Sequence, residues 1–122
     1  MAAEKINYIN AHGTSTHLND KGETKAIRAA FGAHADQLMV SSTKSMTGHL
    51  LGASGAVEGI ITAMSVCEDF VPATINYREP DPECDLDYTP NVSVEAPLTI
   101  AISDSLGFGG HNGCVAFRKY NG

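Results

Sequence analysis

Apolar and polar positions alternate along this chain in blocks that predict strands and helices in turn. Ile6-Asn7-Tyr8-Ile9 reads as a short strand, and the polar run His12-Gly13-Thr14-Ser15-Thr16 as the turn after it. Asp20 and Glu23 have capping-box spacing, which predicts a helix opening at Asp20. Ile27, Ala30 and Phe31 supply its apolar stripe at i, i+3, i+4, and Gly32 suits its C-terminal cap. Leu38 to Ser42 reads as a second strand, and Thr43 to Gly48 as a loop.

The segment from Leu50 to Glu68 predicts a helix that is apolar nearly all round. Gly48, Gly52, Gly55 and Gly59 recur through it, although each interior glycine costs a helix about 1 kcal/mol relative to alanine. Glycines on one face predict very close packing there, as in a central helix buried between layers. Val71 to Ile75 reads as a short extended piece, and the proline-rich, acidic stretch from Arg78 to Pro90 as a surface loop. Leu98 to Ser103 and Gly113 to Lys119 read as strands of a hairpin joined through Gly107-Phe108-Gly109-Gly110. The order β-α-β-α-β-β predicts an α/β fold whose mixed sheet ends on an antiparallel strand.

Composition narrows the function classes. The 122 residues suit one domain, and 43% hydrophobic with 18% charged residues is ordinary globular usage. The net charge of −6 comes from 14 acidic and 8 basic groups, with no Lys/Arg stripe to neutralise phosphates, so nucleic-acid binding is not expected. The longest apolar stretch is broken by glycines and Glu58, which argues against a membrane span. Cys67, Cys84 and Cys114 form no C-x-x-C pair, so no structural zinc or redox dithiol is expected. An odd cysteine count and an N-terminus without the layout of an export signal point to a reducing, cytoplasmic setting.

Three polar constellations sit at predicted strand ends, where loops tend to hold functional groups. These are residues 12–16, the run from Ser42 to His49, and Gly107 to Gly110. Together they suggest a pocket with two imidazoles, a fixed lysine charge and glycine-rich backbone donors. Taken singly, each has a plainer reading. A loop histidine such as His12 usually makes structural hydrogen bonds, Lys44 is an ordinary solvated charge, and Thr14 and Thr16 make turn bonds. Phe108 is a hydrophobic plug, and Glu58 lies on the one wet face of its helix. If Glu58 is instead buried, it needs a partner or a raised pKa.

The strings Asn10-Ala11-His12-Gly13-Thr14-Ser15-Thr16, Ser41 to Gly55 (SSTKSMTGHLLGASG) and Gly107-Phe108-Gly109-Gly110 resemble the β-ketoacyl synthase family in order and separation. The resemblance runs over nearly the whole chain and looks most like the elongating enzyme of bacterial type II fatty-acid synthesis. It implies a thiolase-like fold of two stacked α/β halves. Residues 1–122 would then form the second half as one domain, with a five-stranded mixed sheet and a buried glycine-rich central helix. The implied reaction is a decarboxylative Claisen condensation between an acyl-enzyme thioester and malonyl-acyl carrier protein, with no cofactor required.

By the same resemblance, His12 and His49 are the donors to the thioester enolate, Lys44 stands beside the second histidine, and Phe108 is a gating residue whose backbone N–H serves an oxyanion hole. Thr14 and Thr16 contact the phosphopantetheine arm, and Gly107 and Gly109 belong to the substrate-binding loop. Glu58, Asn10, Ala11, Ser103 and Asp104 match residues that hold a structural monovalent cation in several relatives. The implied partners are acyl carrier protein, the first half of the same enzyme and a second copy in a homodimer. Asp104, Leu106 and His111 depart from the usual Asn, Phe and Thr.

The family's nucleophilic cysteine lies in the first half, and none of the three cysteines here takes its place, so this chain alone is expected to be inactive. Two related readings share the motifs: the ketosynthase half of a polyketide synthase, and a non-catalytic chain-length-factor-like subunit, which the retained histidines argue against. A histidine-based metal module is disfavoured by irregular spacing.

Overall fold

A computed structural model describes residues 2–122. Its elements are β1 (Tyr8–Asn10), α1 (His17–Phe31), β2 (Met39–Ser41), α2 (Lys44–Thr47), α3 (Ser54–Glu68), β3 (Phe70–Val71), β4 (Val94–Glu95), β5 (Ile100–Leu106) and β6 (Asn112–Arg118). The main sheet has four strands in the order β2-β1-β5-β6. β1 runs parallel to both β2 and β5, with Tyr8 opposite Met39 and Ala101, while β5 and β6 form the antiparallel hairpin.

Strand alternation sends successive residues of β1 to opposite faces. Ile9 and Ala11 join Ile27 of α1 with Leu38, Val40 and Ile102 in one core; Tyr8 joins Val66 of α3 with Val71, Leu98 and Ala101 in the other. The result is a three-layer sandwich, α1 on one side and α3 on the other. That is the α/β class read from the sequence.

Four expectations are corrected. The sheet has four strands rather than five, because the extended piece after α3 pairs with β4 in a separate two-stranded sheet. α1 starts three residues early, and no capping box forms: Thr16 is its N-cap without a side-chain bond, and Glu23 turns inward. Residues 44–47, expected as loop, form a short helix ended by Gly48. The long apolar helix is also shorter at its start. Leu51 takes a left-handed φ of 51°, and a 3-10 turn over Leu51–Ala53 precedes α3.

The four glycines therefore do not share one helical face. Gly48 caps α2 and Gly52 sits in the turn. Only Gly55 and Gly59 belong to α3, where an added Cβ would lie 3.7 Å from Ser105 Oγ and 3.6 Å from Phe117 Cζ. They pack on the β5–β6 hairpin of this same chain. The opposite side of α3 exposes Ile60 (62%) and Met64 (59%), so the helix is covered on one side only.

Candidate active site

Because β2, β1 and β5 are parallel, their carboxyl ends leave the sheet on one edge. Open parallel sheets bind ligands just beyond that edge. β1 leads there into His12, β2 into Lys44 and then His49, and β5 into the Gly107–Gly110 loop. A cleft of about 1760 Å³ opens at this edge, lined among others by His12, Thr14, Thr16, Lys44, His49, Gly107 and Phe108.

The two imidazoles meet edge to face, with ring centroids 5.6 Å apart and planes at 87°. His12 is buried, and burial together with the Lys44 charge holds its pKa below the ordinary histidine value, so the ring is neutral at neutral pH. His49 is exposed. Its Nδ1 accepts the Leu51 backbone N–H at 3.1 Å and lies 3.1 Å from Ser54 Oγ. A backbone N–H can only donate, so the neutral ring carries its proton on Nε2.

The turn carrying His12 is clamped from several sides. Glu23, buried on the inner face of α1, accepts the N–H of His12 at 2.7 Å and of Gly13 at 2.9 Å. Ser42 Oγ donates to the Gly13 carbonyl at 2.7 Å, and the Ala11 N–H donates to Ser41 O at 2.9 Å. Gly13 has φ +41°, and a Cβ there would lie 2.4 Å from Ser42 Cβ, so only glycine fits between these clamps. Glu23 is the residue that sequence reasoning misassigned. Its capping-box spacing concealed an inward-facing carboxylate, and no local pattern marks a side chain that bonds backbone ten residues earlier.

Behind the histidines, Lys44 Nζ lies 2.5 Å from Glu58 Oε1, with the two side chains 4% and 3% exposed. Glu58 is thus buried and paired, not on a wet helix face. Its Oε2 has no hydrogen-bond partner. Asn10 ties β1 to α3 through Nδ2, which donates to Glu58 O and Thr62 Oγ1. Ser103 pairs with Asn10 across β1 and β5. Asp104 carries a buried Oδ1 without a partner, and burial and the neighbouring Glu23 charge push its carboxyl up to about 7.

The remaining predicted residues are looser. Thr14 and Thr16 bond each other at 3.1 Å on the exposed rim. The Phe108 ring is 99% exposed, on a loop closed by the Gly107 N–H to His111 O bond at 2.6 Å. Gly109 has φ +72° and does not line the cleft. Among the described residues no group of three or more His, Cys, Asp or Glu side chains is placed to hold a metal ion. Nor is any helix long and apolar enough to cross a membrane.

Residues 1–78 match the family described as the C-terminal domain of beta-ketoacyl synthase. A 3-oxoacyl-(acyl-carrier-protein) synthase 2 of Synechocystis sp. is 59% identical over 98% of this chain, and one of Staphylococcus aureus is 54% identical over 94%. The chain spans only 29% and 28% of those relatives. Among solved structures, a type II PKS acyl-carrier protein in complex with its ketosynthase bound to the hexaketide matches with a TM-score of 0.97 at 40% identity. That match covers 99% of this chain and 30% of the other.

Proposed function

Since this chain belongs to the family of the β-ketoacyl synthase C-terminal domain, we propose that it is the second half of a condensing enzyme that extends acyl thioesters with malonyl units. The observation that supports this most directly is the pair of histidines 5.6 Å apart at the carboxyl edge of the parallel strands. An acyl group is carried as a thioester on a cysteine of the other half. Malonyl thioester bound between the imidazoles breaks its C–C bond and releases CO2, and the electron pair is delocalised onto the thioester oxygen as an enolate. The enolate carbon then attacks the acyl carbonyl, a C–C bond forms and the cysteine thiolate leaves.

The hard species is the enolate, which needs donors already aimed at its oxygen. His49 offers Nε2–H by the tautomer argument, and a neutral His12 has one ring N–H that can hydrogen-bond the enolate oxygen without giving up its proton. The Lys44–Glu58 pair lies behind them and fixes the floor of the site. Thr14 and Thr16 stand where the carrier's phosphopantetheine arm would enter, and the Gly107–Gly110 loop can carry Phe108 toward the reacting carbonyl. The partners in this reading are acyl carrier protein, the first half of the same polypeptide and a second copy of it.

The chemistry needs no cofactor. The unpartnered Glu58 Oε2 fits a structural cation, which that carboxylate and the backbone of Asn10, Ala11, Ser103 and Asp104 would hold and whose charge would offset that of Glu58. Its contribution would be to the fold, not to the reaction.

The test uses the full-length protein with acyl- and malonyl-carrier substrates. His12→Ala and His49→Ala should each slow malonyl decarboxylation by about 10²–10³-fold while the cysteine is still acylated. Equal decarboxylation in wild type and both variants would overturn the reading. The 122-residue chain alone should acquire no acyl adduct by mass spectrometry. The likeness to a polyketide ketosynthase supports a second substrate class, which product analysis with a poly-β-keto primer distinguishes from a saturated acyl primer.

A further inference from the structure

His49 is the less supported of the two imidazoles. It is exposed, whereas His12 is buried and its turn is held by Glu23, Ser42 and Ser41. Among the described residues its polar contacts are two, the Leu51 N–H and the hydroxyl of Ser54, both at Nδ1. Leu51 reaches it only by adopting the left-handed φ of 51°, a conformation that disfavours a side chain.

Ser54 is the first residue of α3 and is 5% exposed. Its Oγ accepts the Leu50 N–H at 2.8 Å. A hydroxyl has one proton to give, and His49 Nδ1, 3.1 Å away, is positioned to accept it. A relay therefore runs from the Leu50 amide through Ser54 to the imidazole.

From this geometry we infer that Ser54 is a positioning residue for the condensation, donating to His49 Nδ1 so that the ring is held with its Nε2–H toward the cleft. The inference rests on the proposed decarboxylating role of His49. Ser54 touches no reacting atom; it acts through the imidazole. It restrains rotation of an otherwise exposed ring, and with Leu51 it disfavours the tautomer whose proton would point away from the substrate. Ser54 also anchors the strained 50–51 backbone to the rigid start of α3, so both donors to His49 depend on it.

The experiment compares wild type, Ser54→Ala and Ser54→Thr in the full-length protein. Three readouts are taken: malonyl decarboxylation, acyl transfer to the cysteine, and the tautomer of His49 by 15N shifts of histidine-labelled protein. Ser54→Ala should lower kcat for decarboxylation roughly three- to tenfold, the range commanded by one neutral hydrogen bond, with KM and acyl transfer unchanged. Its Nδ1–H tautomer should become detectably more populated, and Ser54→Thr, which keeps the hydroxyl, should restore both. Wild-type decarboxylation with an unaffected Ser54→Ala variant overturns the inference alone. So does a loss of acyl transfer in parallel, or a threonine variant no better than alanine. Absence of decarboxylation in wild type overturns the underlying functional reading instead.

Discussion

Replacing Lys44 with alanine removes the cation that faces Glu58 and leaves a carboxylate in a place water does not reach. Both side chains are under 5% exposed, and Glu58 Oε2 already lacks a partner, so the truncation orphans the second oxygen as well. Breaking one side of such a pair costs about 3–5 kcal/mol, because the remaining charge keeps its desolvation penalty and loses its compensation. Removing both charges together is nearly neutral. Urea unfolding of the dilute chain, followed by far-UV circular dichroism, reads the difference. At an m-value of about 2 kcal/mol/M the midpoint of Lys44→Ala should fall by about 2 M. The Lys44→Met, Glu58→Met double variant should unfold near the wild-type midpoint or above it. A single-variant loss below about 1 kcal/mol, or a double variant as weak as the single, would refute the picture of a dry, compensated pair.

Three further outcomes are expected. Gly13→Ala, facing a 2.4 Å contact with Ser42 Cβ at φ +41°, should lose roughly 1–3 kcal/mol and displace His12, readable as a lower melting temperature and, on the proposed function, as slower malonyl decarboxylation by the full-length protein; unchanged melting would contradict the crowding. Asp104 has a folded pKa raised from 3.8 to about 7, so its folded form binds the proton more tightly than its unfolded form. It therefore destabilises progressively as pH rises from about 4 to 7, and Asp104→Asn should flatten that slope and raise the melting point at pH 8. The isolated chain should self-associate through the bare side of α3. Ile60→Lys with Met64→Lys should shift its sedimentation toward monomer, whereas identical sedimentation of both forms would show that another face is responsible.

Strand and hairpin positions were legible because alternation and glycine punctuation are local signals. β1, β2 and β5–β6 lie within a few residues of their expected places, and the Gly32 cap formed, its N–H bonding Arg28 O. The motifs placed His12, Lys44, His49 and Phe108 at strand ends, and the parallel topology then carries those ends to one edge. Errors arose where a local pattern had a non-local owner. Glu23 matched a capping box but serves the amides of residues 12 and 13. The glycine spacing suggested one helical face, yet Leu51 leaves helical geometry and divides that run between a cap, a turn and a helix. The fifth strand implied by the resemblance is absent from the main sheet, because pairing partners are a tertiary choice: the extended piece after α3 pairs with β4. Ser54 bore no signal beyond its place in a motif.

The placement of β5 beside β1 has a consequence for biosynthesis. Tyr8 lies opposite Ala101, so the strand that delivers His12 gains its second neighbour only after almost all of this segment has been translated. Until then β1 has just β2 to lean on, and the amide and carbonyl groups along its other edge stay open to wrong partners. A ribosome stalled before residue 100 would hold both imidazoles on a half-built ledge. Nascent chains halted there should bind chaperones that release them once β5 emerges.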